Sequence, residues 1–356
     1  VGVAVNLTGH AVTEVVAHGS AGELLWVVIL KASYLWTGAP ELVPAAPAPI
    51  ELLDRYTGDP ARSGLAAAGE VGLPKPRVDV LVTGDLRFAA PLTQALVGLE
   101  VGARLSKQVQ VFGDRRWVLA STRNELIPSR PAPIGALSIG WERAAGGSDP
   151  SDPSLRDPRN PVGCTLARAA RELQGKPLPN FEDPRQLLAT WRDRPAPQGF
   201  GPLAPHWEAR ARLAGTYDKR WMSERAPLLP PDFDPGFYNC APADQQLPDY
   251  RAGEEVRLTG MTPRGRERFV LPALAVPVLF VTRDLMNQTR ARVDTIVIEP
   301  AEARVSLIAR AVSRVRPSAA AMRQIFVGPL SRGRRRALET GRRYLDFRVA
   351  TPRAPE

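Results

Sequence analysis

Apolar and polar residues alternate with a period of two near both ends of the chain, and the pattern breaks down in the middle. Near the start, ELLWVVILKASYLW (Glu23–Trp36) has the β-branched and aromatic content of a partly buried strand, which the Ala/Pro run Pro40–Pro49 closes. RVDVLVTGDLRF (Arg77–Phe88) alternates more cleanly. One extended strand there would set Val78, Val80 and Val82 on one face and Arg77, Asp79, Leu81 and Thr83 on the other. ALVGLEVGARLSKQVQVFGDRRWVL (Ala95–Leu119) predicts two or three short strands, the last pair turning across Phe112-Gly113-Asp114, where glycine permits a positive φ. The clearest hairpin is ARVDTIVIEPAEARVSLIARAV (Ala291–Val312), with alternation on both sides of Glu299-Pro300-Ala301-Glu302. Further strands are predicted over His206–Gly215, Glu255–Met261 and Glu267–Leu274.

From Ala144 to Pro205 the chain is crowded with Gly, Pro, Asp and Asn, a composition of tight turns rather than long regular elements. Short helices fit Asp183–Arg192 and Tyr217–Arg225, where Asp183 and Asp218 can act as caps. No repeat of solenoid or propeller length is present. The expectation is a mainly β protein: an antiparallel β-sandwich-like core with long Pro/Gly-rich irregular loops and a few short helices. Residues 1–316 would form the β-rich domain, as one sandwich or as two lobes around an irregular middle at 144–250. Residues 317–356 would form a basic, partly helical segment.

With 356 residues and 44% hydrophobic content, the chain can bury a large core without a disulfide or a structural metal. Its two cysteines, Cys164 and Cys240, the lack of a secretory leader and the absence of any membrane-length apolar run point to a soluble, reducing compartment such as the cytoplasm. Net charge is +10, and half of it lies in residues 331–356, where eight Arg face Glu339, Asp346 and Glu356. The remainder is too mildly basic to describe a surface built around phosphate contacts. In SRGRRRALETGRRYLDF (Ser331–Phe347), Arg334, Arg335, Arg336, Arg342 and Arg343 form a candidate basic contact, with Gly341 weakening a helix by about 1 kcal/mol relative to Ala. A solvated tail outweighs a nucleic-acid site there, since no aromatic platform interleaves with the arginines.

Candidate chemistry is sparse. Cys240 and His206 invite a thiol–base pair, yet Cys240 sits in a Pro-bounded loop and not at a helix start that would lower its pKa, so a structural thiol is the reading. Three His and two Cys never fall at zinc-ligand spacing, and Asp232 and Asp234 lack the rest of a calcium loop. Neither a P-loop nor a dinucleotide glycine motif follows any predicted strand. No cofactor is expected. Gly199–Pro248 is instead a continuous run of turn formers and rings, including Trp207, Tyr217, Trp221 and Tyr238. Its polar residues His206, Asp218, Asp232, Asp234, Asn239, Asp244, Gln245 and Gln246 would have to satisfy loop backbone groups or touch a partner.

A series of phrases then carries a resemblance: GDP (Gly58–Pro60), KPRVDVLVTG (Lys75–Gly84), VFGDRRW (Val111–Trp117), ERAAGG (Glu142–Gly147), NPVG (Asn160–Gly163), LPNFEDP (Leu178–Pro184), GFGPLAPHW (Gly199–Trp207), GTYDKRWMSERAPLLPPDFDP (Gly215–Pro235), FYNCAPADQQLP (Phe237–Pro248) and VRLTGMTP (Val256–Pro263). In this order they resemble the bacterial family known as domain of unknown function 2169, found beside type VI secretion genes. The resemblance implies a non-enzymatic adaptor or chaperone that loads a toxin or other effector onto a secretion spike or tip protein. It supplies no catalytic residues. Two other classes stay open: an enzyme using Asp232, Asp234, Asp244 or His206, and a nucleic-acid binder using the C-terminal arginines. No membrane partner is expected.

Overall fold

The structure, a computed structural model, describes residues 4–19, 21–120, 125–149, 151–282, 286–315, 324–342 and 344. The architecture is mainly β, with several sheets and only short helices. Its largest sheet has the spatial order Gln246–Leu247, Val78–Val82, Arg292–Glu299, Arg304–Val315, Leu24–Leu35, Ala11–His18, with Val43–Pro44 paired to one end of Leu24–Leu35. A five-stranded sheet runs Phe181–Glu182, Leu105–Phe112, Gln94–Val101, Glu255–Thr259, Arg266–Val270, and a four-stranded one runs Ala4–Asn6, Gln324–Val327, Pro277–Val281, Met286–Arg290. Pairing in these three sheets is antiparallel except where Val78–Val82 meets Arg292–Glu299 and where Ala4–Asn6 meets Gln324–Val327.

One apolar core joins all three. Leu30, Val80, Ile296 and Leu307 of the large sheet, Leu99, Val109 and Val256 of the five-stranded sheet, and Phe280 and Val327 of the four-stranded sheet belong to a single buried cluster. The β-rich regions on either side of the irregular middle therefore share one interior. Because successive strand residues point to opposite faces, burying Leu30, Val80 and Leu307 inward sends Lys31, Asp79 and Ile308 to the outer face.

The predicted Ala291–Val312 hairpin forms as Arg292–Glu299 against Arg304–Val315, closed by a 3-10 turn at Pro300–Glu302 and Ala303 at φ 49°. Elsewhere the structure departs from the periodicity. Arg77–Phe88 breaks at Gly84 (φ 85°) into Val78–Val82 and Asp85–Leu92, and all five residues of the first strand are buried because loops cover its outer face. Leu105–Phe112 turns back onto Gln94–Val101 across Gly102 (φ 50°), not forward across Phe112-Gly113-Asp114, and Trp117–Leu119 pairs with Leu126–Pro128. His206–Gly215 is not a strand. Glu208–Ala211 makes a helical turn, consistent with the helix preference of Glu, Ala and Arg, since the alternation of EARAR has no buried sheet face to serve. Asp183–Arg192 is not a helix either: Asp183 accepts the Arg185 N–H, and the Leu188 N–H goes to Glu182. Lys219–Glu224 is helical as expected, with Asp218 accepting the Trp221 N–H at 2.7 Å.

The boundary placed after residue 316 also shifts. Gln324–Val327 lies inside the four-stranded sheet, with Ile325 and Val327 in the core, so the peripheral segment begins only beyond this strand. There Ser331 caps the helix Arg332–Glu339, and Gly341 at φ 65° stands just past its end, where a left-handed residue satisfies the last carbonyls.

Gly113 serves close approach. A Cβ at this position would lie 1.8 Å from the Ala132 carbonyl oxygen, whereas one at Gly135 would meet nothing within 4 Å. Gly113→Ala is expected to destabilise the protein by at least about 1–3 kcal/mol in urea unfolding, and Gly135→Ala to leave the midpoint near wild type.

Candidate functional site

The outer face of the large sheet, the side that Asp79 takes opposite Val78 and Val80, carries a buried ionic layer. Asp79 has no exposed surface. Its carboxylate takes an ion pair from Lys75 Nζ at 2.7 Å, the Cys240 backbone N–H at 2.8 Å and the Asn239 side-chain amide at 2.8 Å. The Cys240 thiol points at the same carboxylate, 3.4 Å away. Burial alone would raise the Asp79 pKa, but Lys75 and these hydrogen bonds hold it below the usual carboxylate value. For Lys75, burial pulls the other way and is outweighed by Asp79 and its neighbours, so its pKa is raised. Burial pushes the Cys240 thiol up to about 11, which keeps it protonated and a poor nucleophile.

Two more pairs continue the layer. Lys31 Nζ meets Glu70 at 2.6 Å and the Pro49 carbonyl at 2.9 Å. Arg310 pairs with Asp294 and also donates to the carbonyls of Glu70 and Gly72. A β-bulge between Val293 and Thr295 changes the strand's parity, so Asp294 and Thr295 do not join the core that holds Val293 and Ile296, and Asp294 reaches Arg310.

The loop Asn239–Leu247 is clamped between sheets. Asn239 donates to the Arg77 carbonyl as well as to Asp79. Gln245, fully buried, donates to the carbonyls of Val80 and Phe200 and accepts from Lys107 Nζ at 2.8 Å. Lys107 comes from the five-stranded sheet and also pairs with Asp244 at 3.0 Å; burial lowers its pKa and Asp244 opposes that. Gln246 donates to the Ala241 carbonyl, while its own carbonyl accepts from Arg77.

The other sequence candidates divide by exposure. Trp207 is fully buried, edge-on to Trp141 with ring centroids 5.9 Å apart, so it anchors the loop and offers nothing to a partner. Asp232 accepts from the Thr216 N–H and hydroxyl, Asp234 from the Gly236 N–H. His206 is largely exposed beside Tyr56 and Trp207; burial first, then Arg156 and Arg210, lower its pKa. Among the described residues, no hydrogen bond or ion pair joins any two of His206, Asp232, Asp234 and Asp244, and no group of three His, Cys, Asp or Glu side chains could hold a metal ion.

Tyr217, Trp221 and Tyr238 instead belong to a surface patch. Tyr217 is 53% exposed and packs edge-on against Trp221 at 4.7 Å. Phe233, Phe237 and Tyr238 form a second group with centroids 5.4–6.2 Å apart. The Thr216–Asp232 hydrogen bonds draw the two groups together, since each partner directly precedes a ring, Tyr217 or Phe233, and Met222, 69% exposed, belongs to the helix between Asp218 and Arg225. At the C-terminal end, Arg334 lies over the Phe326 and Tyr344 rings and Arg335 donates to Gln288, which dock the helix; Arg336 and Arg342 are exposed, and Arg343 lies outside the described residues.

A family model described as "uncharacterized protein conserved in bacteria (DUF2169)" matches residues 21–310. The chain belongs to this family. Searches of curated proteins and of solved structures find no match. Within this DUF2169 chain, two phrases of the resemblance meet at the clamp: KPRVDVLVTG supplies Lys75 and Asp79, and FYNCAPADQQLP supplies Asn239, Cys240 and Gln245. Sequence reasoning missed Lys31, Glu70, Lys75, Lys107, Asp294 and Arg310. For Lys31 and Arg310 the signal was a lone charge inside an aliphatic strand, LLWVVILK and SLIARAV, which burial makes costly unless a partner exists.

Removing Asp79 leaves a buried ammonium, an amide and a peptide N–H without their acceptor. Asp79→Ala is expected to cost about 3–5 kcal/mol in urea unfolding, and Asp79→Asn less. Since the folded pKa of Asp79 lies below its ordinary 3.8, its contribution is present above that value and fades as pH falls through the lower folded pKa. In acid titrations followed by circular dichroism, the wild-type advantage over Asp79→Asn should therefore shrink below about pH 4.

Proposed function

We propose that this DUF2169 protein is a non-enzymatic adaptor or chaperone that grips a toxin or other effector polypeptide and helps load it onto the spike or tip of a type VI secretion system or a related contractile machine. The observation that carries the reading is the patch of Tyr217, Trp221, Met222, Phe233, Phe237 and Tyr238, which leaves ring and thioether surface in solvent on a segment braced from beneath. Aromatic residues and Met are enriched at the centres of protein interfaces, and large rings give contact area for little loss of rotamer freedom. The bracing matters as much as the rings. Asp218 caps the helix, Asp232 ties Thr216, Asp234 ties Gly236, and Arg210 donates to the Phe237 and Leu203 carbonyls, so little ordering would remain to be done on binding. The secretion setting rests on the resemblance of the quoted phrases to the family. The exposed Arg336 and Arg342 offer a second, electrostatic contact on the same reading.

Affinity purification from the native cell tests the assignment. The double variant Tyr217→Ser/Met222→Ser should keep the wild-type melting temperature within a few degrees, because both side chains are mostly exposed, and lose at least about tenfold in recovery of the co-purifying effector. Undiminished recovery by the folded variant would remove the patch from the interface. A wild-type protein that brings down no spike, tip or effector polypeptide would remove the adaptor function itself.

A further inference from the structure

Beneath the Asn239–Leu247 clamp, between the outer face of the large sheet and the covering segment Ala48–Glu70, lies a cavity of about 200 Å³. Its lining includes Cys240 and Leu81, and Ala66, Ala67 and Ala68 from the covering segment, with Ala68 packed against the Leu81–Cys240 cluster. It has room for several waters or one small organic molecule. Its lining is unusual for a void under a β-sheet: five cations, Lys31, Arg55, Lys75, Arg304 and Arg310, but only three carboxylates, Glu51, Glu70 and Glu299.

The carboxylates are already engaged. Both oxygens of Glu70 are taken, one by Lys31 and one by the Glu51 N–H; both oxygens of Glu299 are taken by Arg304; and Arg55 holds Glu51. Asp79 and Asp294, the partners of Lys75 and Arg310, are absent from the lining. Donors are in surplus. Each ammonium carries three N–H groups, and Lys31 directs two at the protein, to Pro49 and Glu70, while Lys75 directs one at Asp79 and one weakly at Cys240 Sγ at 3.5 Å. Arg310 carries five N–H groups and uses three partners. What remains unfilled in the lining is thus N–H capacity, and the complementary group is an oxyanion.

Counting Asp79 and Asp294 behind the wall, five carboxylates balance five cations, so the surroundings are neutral as a whole. Any anion added there is uncompensated, and because the cost of burying charge rises steeply with its magnitude, a dianion is penalised far more than a single carboxylate, which the spare N–H donors can answer. We infer that this cavity binds one small organic monocarboxylate, its oxygens taking the spare N–H donors of Lys31, Lys75 and Arg310. The adjoining Thr83 and Thr295 hydroxyls supply polar contacts for the rest of the molecule. This site is separate from the aromatic patch, and the inference does not depend on the adaptor reading.

The test is saturation-transfer NMR and calorimetry on the full chain at matched ionic strength, with acetate, pyruvate, succinate and inorganic phosphate as probes. Saturation transfer reads the C–H protons of acetate, pyruvate and succinate, and calorimetry reads phosphate and chloride; acetate or pyruvate should bind, with chloride giving no heat of binding. Two variants locate the site. Ala67→Leu fills the cavity from its covering side, and Lys31→Met/Glu70→Met removes a donor together with its partner so that neither charge is orphaned. At least tenfold loss of monocarboxylate affinity in Ala67→Leu with native circular dichroism supports the assignment; if that variant does not fold, the same loss in the double variant decides. No monocarboxylate binding to the wild type, binding of succinate or phosphate alone, or binding unchanged in a folded variant of this pair overturns it.

Discussion

A carboxylate with no exposed surface is stable only when its surroundings supply what water did, and for Asp79 a lysine just before its strand and one distant loop supply it. The groups that meet it come from far apart in the sequence: Lys75 from the approach to the strand, and Asn239 and the Cys240 N–H from a loop some 160 residues on. None of these contacts is optional once Asp79 is buried, since an unanswered charge there costs more than any single apolar contact returns. Folding of the strand and placement of the loop are therefore one event. Gln245 repeats the device with neutral groups, one side chain answering two carbonyls and the Lys107 ammonium, so the loop is fixed to both sheets.

This division of labour explains how a segment with almost no ladder hydrogen bonds keeps a defined shape. Buried members of Gly199–Pro248, among them Phe200, Trp207, Asn239, Cys240 and Gln245, fix the backbone. Exposed members, Tyr217 and Met222 foremost, are carried on it. Between the two, Asp218, Asp232 and Asp234 act as local braces whose hydrogen bonds satisfy turn N–H groups that no sheet reaches. A stiff presentation of this kind suits recognition, in which conformational entropy lost on contact subtracts directly from affinity.

Much of the β framework was legible because alternation and turn chemistry agree. Arg292–Glu299 and Arg304–Val315 could be read from period-two apolar residues around a Pro-Ala-Glu turn, and the family from the order of its loop phrases. The errors fall where tertiary burial overrides local pattern. Alternation puts Asp79 on the face opposite Val78 and Val80, but it says only which side a residue takes, not whether a distant loop will cover that side. His206–Gly215 alternated by accident, and its Glu, Ala and Arg preferred a helical turn once no neighbouring strand was present. The ionic layer went unread for a related reason: Lys31 and Arg310 stand out as lone charges in aliphatic strands, but their partners Glu70 and Asp294 are ordinary in sequence and meet them only through strand register and one bulge. The split of the ring-rich loop into buried anchors and exposed contacts was likewise invisible, since Trp207 and Tyr217 look alike in a list of aromatics.

The register of the large sheet bears on how the chain is made. Leu24–Leu35, a long and largely apolar strand, has for one of its neighbours Arg304–Val315, near the other end of the described chain, and Val78–Val82 has Arg292–Glu299. On the ribosome these early strands emerge long before their partners exist, holding open edges and uncovered aliphatic surface throughout synthesis. Non-local pairing of this sort also slows closure of the fold after release. A molecule so built is a natural client of cellular holdases in its first seconds.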